Sequence, residues 1–179
     1  MRYAVVDTET TGLHPRKGDQ LLTMAVYIVD TEAKNWPVAA FEFRPRQTIK
    51  YLIMGTGPKK ARQAHGISRK RANASRQTFE QQADRIAEML AGCVFVAHNV
   101  NFDAEFINAA FESIGRKAPV SDRLCTGRMA AQMLDDPRGY TSLKKACAGL
   151  GIEQVRHHDA LDDTRCAAEI LKKWLEAQR

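Results

Sequence analysis

The feature that most constrains this chain is an apolar run followed by two carboxylates that are separated by one residue. Residues 3–6 are apolar and mostly β-branched or small, and Asp7 and Glu9 follow them. Side chains on a strand alternate with a period of two, so a strand continued through this run places both carboxylates on one face. Like charges on a buried strand need a proton, a basic neighbour or a cation to compensate them. The pattern therefore indicates either a cation site or a strand end where Asp7 caps the backbone and Glu9 is solvated.

The segment that surrounds these acids is small and polar. Thr8, Thr10 and Thr11 carry hydroxyl groups, and Gly12 has no side chain to hinder the approach of another backbone. We therefore expect this segment to allow a substrate backbone to come close to the carboxylates.

The length and composition of the chain are those of a globular protein. Its 179 residues, of which 44% are apolar, suffice for one domain over residues 1–179. No apolar stretch reaches the roughly 18 residues of a membrane span, and the chain opens into a strand and not into a signal peptide. We expect a soluble, cytoplasmic protein without a membrane partner. The four widely spaced cysteines include no Cys-x-x-Cys pair and indicate neither a zinc site nor disulfides.

Positive charge is concentrated in one part of the sequence. The chain has a formal charge of +6, and residues 44–76 contain ten Lys and Arg residues without one Asp or Glu. Such a run is typical of a solvated, loop-rich face. It is also what a phosphate backbone would neutralise, in which case binding would weaken as salt increases. Both interpretations stay open from the sequence.

The order of predicted elements indicates an α/β fold. After the first strand, two further strands are predicted at residues 21–29 and 38–43, and their short links favour an antiparallel meander. Helices and strands then alternate, with predicted helices at 58–65, 78–91, 100–114, 127–134, 142–150 and from 159 onward, and predicted strands at 93–97 and 119–125. The fold class predicted is a mixed central sheet, three antiparallel strands and then parallel strands, flanked by helices.

Two further acids lie in the first turns of predicted helices. Asp103 follows the strand at 93–97, and Asp163 lies near the start of the last helix. A helix N-terminus favours carboxylates, which is a structural reason for either acid. With Asp159 as N-cap, however, Asp162 takes the N3 position and can return a capping interaction, so Asp163 lacks a local role.

Two histidines precede the same helix. A histidine at this place is commonly a surface residue, but His158 kept neutral by the helix dipole could also accept a proton from water.

Three segments of the chain together resemble a known family. Residues 5–13 resemble the first motif of the DnaQ-like, DEDDh-type 3′-to-5′ exonucleases, His98-Asn99-Val100-Asn101-Phe102-Asp103 resembles the second, and His158-Asp159-Ala160-Leu161-Asp162-Asp163 resembles the His-x4-Asp third motif. His65-Gly66-Ile67 is similar to a segment of the proofreading epsilon-subunit branch. The motifs occur in the family's order and span almost the whole chain.

This resemblance implies a ribonuclease H-like fold and a set of site residues. It places the acidic tetrad, which is both catalytic and metal-binding, at Asp7, Glu9, Asp103 and Asp163, and the general base at His158. The His-x4-Asp spacing selects His158 over His157 and Asp163 over Asp162. The implied cofactors are two divalent cations, Mg²⁺ or Mn²⁺, and the implied reaction is hydrolysis of phosphodiester bonds at 3′ ends.

The resemblance also suggests how a substrate would be held. The backbone around Thr8, Thr10, Thr11 and Gly12 is expected to cradle the 3′-terminal nucleotide, with Leu13 packed on the terminal base. His98 and Asn99 are expected to touch the sugar or to position Asp103, although an Asn at this place is as commonly a helix cap.

Several alternatives stay open from the sequence. Single-stranded 3′ ends of DNA are the favoured substrate, with RNA ends as the alternative, because nothing here reads the 2′-hydroxyl. A non-catalytic nucleic-acid-binding module with structural acids is the alternative of a different class. No extension follows the last helix, so we expect the protein either to act alone or to bind partners such as a DNA polymerase through its domain surface. A homodimer also stays open.

Overall fold

Five strands form one mixed sheet in the computed structural model, which describes residues 1–33, 36–45, 66–67, 77–120, 122–156 and 159–178. The strands are β1 (Arg2–Thr10), β2 (Leu21–Asp30), β3 (Ala39–Phe43), β4 (Val94–Ala97) and β5 (Arg123–Cys125). Their order across the sheet is β3-β2-β1-β4-β5. The first three strands pair antiparallel, and β4 pairs parallel with both β1 and β5. The predicted mixed sheet, an antiparallel meander followed by parallel strands, is confirmed.

Five helices flank this sheet within the described residues. They are α1 (Phe79–Leu90), α2 (Val100–Glu112), α3 (Thr126–Met133), α4 (Leu143–Leu150) and α5 (Ala160–Ala177), and a single 3-10 turn covers Pro15–Lys17. Thr78 caps α1 as predicted, in a capping box with Gln81. Asp159 caps α5 through a bond from the backbone N–H of Asp162.

The central strand β1 is buried on both faces, and its alternation assigns each residue to one layer of helices. Ala4 and Val6 belong to a core with residues of α1 and α2, whereas Tyr3 and Val5 belong to a core with residues of α3, α4 and α5. A strand covered on both faces has no polar side, which is why residues 3–6 form a continuous apolar run. Beyond Val6 the same alternation directs odd-numbered residues towards α5 and even-numbered residues towards α2.

Some predicted elements differ from the structure. The predicted strand at 119–125 is only Arg123–Cys125. Pro119 lacks the N–H group that a strand residue donates to the sheet, which explains part of this shortening. The predicted helix at 58–65 and His65 lie outside the described residues, as does nearly all of the basic segment. Within the described part of the chain, no helix combines the length and apolar character that spanning a membrane requires.

Candidate functional site

Three of the four predicted acids meet at the carboxyl end of β1. Asp7 and Glu9 project from the strand towards α5, whose first turn carries Asp163. One carboxylate oxygen from each of the three lies within 4.8 Å of the others, as ligands of one metal ion would. The carboxyl ends of parallel strands are where α/β sheets commonly bind ligands. The structure therefore brings together acids that lie more than 150 residues apart in the sequence.

The cluster is electrostatically strained in the metal-free protein. Burial raises the pKa of Glu9 to about 8, and the negative charges of Asp163 and Asp103 add to the effect. Burial, followed by the charges of Asp103 and Glu9, raises the pKa of Asp7 well above its usual range. Among the described residues neither Asp7 nor Glu9 forms an ion pair. Half-buried carboxylates that repel one another, such as Asp7 and Glu9, are the oxygen donors that hard divalent cations prefer.

The fourth acid, Asp103, is held against the opposite face of β1. Its Oδ1 accepts a hydrogen bond from the backbone N–H of Thr8 at 2.9 Å and another from the Thr8 hydroxyl at 2.8 Å. Burial raises the pKa of Asp103 to about 7, although both of these bonds oppose the rise. Thr8 was predicted to lie against substrate, and the structure shows its hydroxyl engaged with Asp103. A substrate contact through its backbone stays a prediction.

Asp163 has a neighbour that the sequence motifs did not indicate. The side-chain amide of Gln154 donates a hydrogen bond to Oδ1 of Asp163 at 2.7 Å. Asp162, in contrast, points away from the cluster: its carboxylate accepts from the backbone N–H of Arg156 and pairs with Arg165. The capping interaction that we expected Asp162 to return to Asp159 is therefore replaced by these two partners.

The predicted substrate cradle consists of the end of β1 and a folded-back loop that follows it. The carboxylate of Asp19 accepts from the backbone N–H of His14 at 2.9 Å and lies directly against Gly12, where a Cβ would be 2.3 Å from Oδ2 of Asp19. Thr10 donates its hydroxyl to the Gly12 carbonyl, and Thr11 accepts from the backbone N–H of Gln20. The side chain of Leu13 is 67% exposed at the tip of this loop. The motifs did not indicate that Asp19 holds this loop. An aspartate is common in turns, so its presence alone gives no signal.

His98 and Asn99, at the end of β4, differ in how they are held. His98 is buried, with its Nδ1 3.1 Å from the Thr126 hydroxyl and its Nε2 2.9 Å from the Thr141 carbonyl. Burial lowers its pKa to about 4. Asn99 is exposed and precedes α2 without a side-chain capping bond. The prediction that either residue touches substrate stays a prediction, as does the role of His158, which lies outside the described residues together with His157.

The family comparison and the related sequences agree with this geometry. The family model RNase_T, described as Exonuclease, matches residues 4–171. The 3′-5′ exonuclease DinG of Bacillus subtilis is 27% identical over 99% of this chain and 18% of its own length. The DNA polymerase III subunit epsilon-like protein of Rhodobacter capsulatus is 32% identical over 99% of this chain and 24% of its own length. The chain thus spans about a quarter or less of these relatives.

Solved structures show the same fold. A zinc-bound complex of Escherichia coli ExoI with single-stranded DNA superimposes with a TM-score of 0.80 and 22% identity, over 99% of this chain and 41% of that one. The nuclease domain of 3′hExo, a DEDDh family member bound to rAMP, superimposes with a TM-score of 0.80 and 17% identity, over 98% of this chain and 92% of that one. The predicted nuclease fold is thereby confirmed.

Proposed function

Because this chain belongs to the exonuclease family, we propose that it is a metal-dependent 3′-to-5′ exonuclease that acts on single-stranded nucleic acid, DNA in preference to RNA. The observation that carries the proposal is the convergence of Asp7, Glu9 and Asp163 at one end of β1, with Asp103 beside them on Thr8. A non-catalytic binding module would have no need for half-buried carboxylates that face one another, as Asp7 and Glu9 face Asp163, because their charged forms repel without a cation.

The carboxylates fit divalent cations, which is the first requirement of the proposal. Asp7, Glu9 and Asp163 would hold one ion, and Asp7 and Asp103 would hold a second, with Mg²⁺ or Mn²⁺ as the candidates. Such ions, when bound, supply the positive charge that offsets the charges of the attacking and departing oxygens in phosphodiester hydrolysis. The oxygens of Asp103 and Asp163 that accept from Thr8 and Gln154 are held in place, which orients both carboxylates.

The chain's own residues have three tasks in the reaction. His158 would take a proton from the water that attacks the terminal phosphorus. A bond then forms between water oxygen and phosphorus, the bond from phosphorus to the 3′ oxygen of the preceding nucleotide breaks, and a nucleoside 5′-monophosphate leaves. The backbone from Thr8 to Gly12, at the end of β1 and just after it, would hold the terminal nucleotide, and the exposed Leu13 would pack on its base.

The proposal is tested by digesting matched DNA and RNA oligonucleotides, single- and double-stranded and labelled at either end, with Mg²⁺ or Mn²⁺. We expect stepwise release of mononucleotides from the 3′ end, preference for unpaired ends, and reversible loss of activity in EDTA. Full activity in EDTA, or release from the 5′ end, would contradict the proposal.

The role of His158 is tested by comparing His158→Ala with His157→Ala, a neighbour of the same type. Loss of a general base should lower turnover by roughly 10²- to 10⁴-fold, whereas the neighbouring substitution should have little effect. Metal and substrate binding should persist in both variants. Equal turnover of His158→Ala and the unmodified protein would exclude this role.

RNA is the second candidate substrate, and one observation favours it: the nuclease domain of 3′hExo was solved with rAMP. The DNA and RNA arms of the same digestion decide between the two. An association with DNA polymerase is a further proposal, which draws on the relative named as an epsilon-like subunit of DNA polymerase III. Co-purification of the two proteins at physiological salt would support it.

A further inference from the structure

A cleft of about 440 Å³ opens where the start of α2 meets β5, α3 and the last turn of α5. Its walls combine polar, basic and aromatic side chains, chiefly those of Asn99, Asn101, Arg123, Arg128, Tyr140 and Trp174. The described residues that line it include no carboxylate. The charge of its side chains is therefore opposite in sign to that of the acidic site.

The start of α2 connects the cleft to the acidic site. Asn99 lines the cleft and immediately precedes α2, whose first turn carries Asp103. The backbone N–H of Asp103 donates to the Asn99 carbonyl at 3.4 Å. Burial raises the pKa of Tyr140 to about 12, and the charges of Cys125 and Asp103 contribute. A strand bound at the acids could continue into the cleft.

The two arginines of the cleft carry uncompensated charge. Arg44, Arg116 and Arg138 each pair with a carboxylate. Arg123 and Arg128, in contrast, are exposed and have no side-chain partner within the described part of the chain. A guanidinium group presents several N–H donors in a planar fork that matches the oxygens of a phosphate. Two such groups in a cleft without acids favour an anionic, phosphate-bearing ligand.

The Tyr140 ring packs at the edge of this cleft. It packs over Gly127, where an added Cβ would lie 2.3 Å from the ring, and its centroid is 5.7 Å from that of His98. The side chain nevertheless remains 38% exposed. An exposed aromatic face next to basic groups is the usual platform on which proteins stack single-stranded bases.

We propose that this cleft binds the part of a single strand that precedes the 3′-terminal nucleotide, with its phosphates on Arg123 and Arg128 and a base stacked on Tyr140. The inference rests on the proposed function, because it assigns the cleft to the same substrate. It implies that substrate affinity depends on strand length beyond the nucleotide that is released.

The first test compares two double variants. The arginine variant is Arg123→Ala/Arg128→Ala, and the lysine control, Lys144→Ala/Lys145→Ala, removes the same charge from exposed residues of α4 outside the cleft. The kcat/KM for an octanucleotide should exceed that for a dinucleotide by about tenfold in the unmodified protein and in the lysine control. The arginine variant should lose this advantage. An arginine variant that keeps the full advantage would overturn the inference.

The second test measures binding of a fluorescent octanucleotide in EDTA, so that it does not depend on catalysis. Each lost phosphate contact should reduce the slope of log affinity against log salt by about 0.7, hence by roughly 1.4 in the arginine variant, and the lysine control should keep its slope. Tyr140→Ala should weaken binding about tenfold, while Tyr140→Phe should bind as the unmodified protein does. An unchanged salt slope in the arginine variant would overturn the inference even if Tyr140→Ala fails to fold.

The two proposals fail in different ways. If the unmodified protein hydrolyses neither oligonucleotide with Mg²⁺ or Mn²⁺, the proposed function is wrong, and the binding experiment still decides whether the cleft holds a strand. If hydrolysis proceeds but the arginine and lysine variants show the same length dependence, only the cleft assignment is wrong.

Discussion

Thr8 donates both its backbone N–H and its hydroxyl to one oxygen of Asp103, at 2.9 and 2.8 Å, across 95 residues of sequence. The two bonds converge on Oδ1, so they fix the orientation of the carboxylate. The relationship couples β1, which supplies Asp7 and Glu9, to α2, which supplies Asp103. It also gives Thr8 a role in the site that does not require contact with substrate.

Replacing Thr8 by Val should therefore impair the enzyme without removing any acid. Val keeps the shape and the backbone bond but loses the hydroxyl, so Asp103 loses one of its two fixed donors. Loss of such a supporting bond typically lowers metal affinity or activity by about 10- to 100-fold. Turnover and Mn²⁺ affinity are the quantities to measure. Thr8→Ser, which keeps the hydroxyl, is the control, and equal impairment of both variants would contradict this explanation.

Asp7→Asn should separate activity from stability. The substitution removes one of several repelling carboxylates, so the metal-free protein should be as stable as the original or more stable by about 1 kcal/mol, while hydrolysis is lost. Saturating Mg²⁺ at roughly 100 times its dissociation constant should stabilise the unmodified protein by about 2.7 kcal/mol and Asp7→Asn by much less. Thermal unfolding with and without Mg²⁺ provides the measurement.

Glu88→Gln is the matched control for this prediction. Glu88 is exposed on α1, far along the chain from the cluster, and loses the same charge. The Glu88→Gln variant should keep both its activity and the full stabilisation by Mg²⁺. A response to Mg²⁺ that is as large in Asp7→Asn as in Glu88→Gln would mean that Asp7 is not a ligand.

Gln154→Met should weaken metal binding more than it weakens the fold. The Gln154 amide donates to Asp163, but its own Oε1 is buried without a hydrogen-bond partner, so the unbranched Met removes a donor and an unsatisfied acceptor together. We expect a loss of about 10- to 100-fold in Mn²⁺ affinity, measured by calorimetry, with a small change in metal-free stability.

Gln154→Glu provides the contrasting variant at the same position. It places a carboxylate where Asp163 needs a donor, and the metal-free protein should lose more stability than with Met because like charges then face each other. The explanation is wrong if both Gln154 variants bind Mn²⁺ as tightly as the unmodified protein.

His98 should make the fold sensitive to acid. Burial lowers its pKa to about 4, whereas the unfolded chain takes up this proton near pH 6.5. Between these values the unfolded state binds more protons, so the contribution of His98 to stability is complete above about pH 6.5 and is lost as pH falls towards 4.

The comparison of unmodified protein with His98→Gln isolates this effect from the titration of the acids. The variant should be less stable at pH 7, because the bonds to Thr126 and Thr141 are disturbed. The difference in free energy of unfolding between the unmodified protein and the variant should be smaller by about 2 kcal/mol at pH 5. Denaturant unfolding at the two pH values gives both numbers. A deficit that does not change with pH would show that His98 is not buried in its neutral form.

Much of this site follows from local patterns in the sequence. The alternation of β1 predicts that Asp7 and Glu9 share a face, and Asp159 caps α5 as the sequence predicts. Both results depend on neighbours within a few residues, where strand and helix periodicity decide which side chains share a face. The order of the three motifs then indicates which distant acids belong together.

The partners that orient these acids are not visible in the sequence. Neither spacing nor residue type predicts three contacts of the structure: Thr8 with Asp103, Gln154 with Asp163, and Tyr140 with Gly127. The strand β5 was also predicted too long, since its pairing with β4 begins only at Arg123.

The sequence by itself determined the alternation of β1 and the cap of α5, because each depends on residues close along the chain, and its motifs predicted which four acids form the site. Only the tertiary structure decided which layer of helices each face of β1 meets, and therefore that Thr8 holds Asp103 while Asp7 and Glu9 meet Asp163. The physical reason is that packing of the two cores fixes these long-range contacts. The entropic cost of closing the long loops is offset only when both layers of helices pack on the sheet.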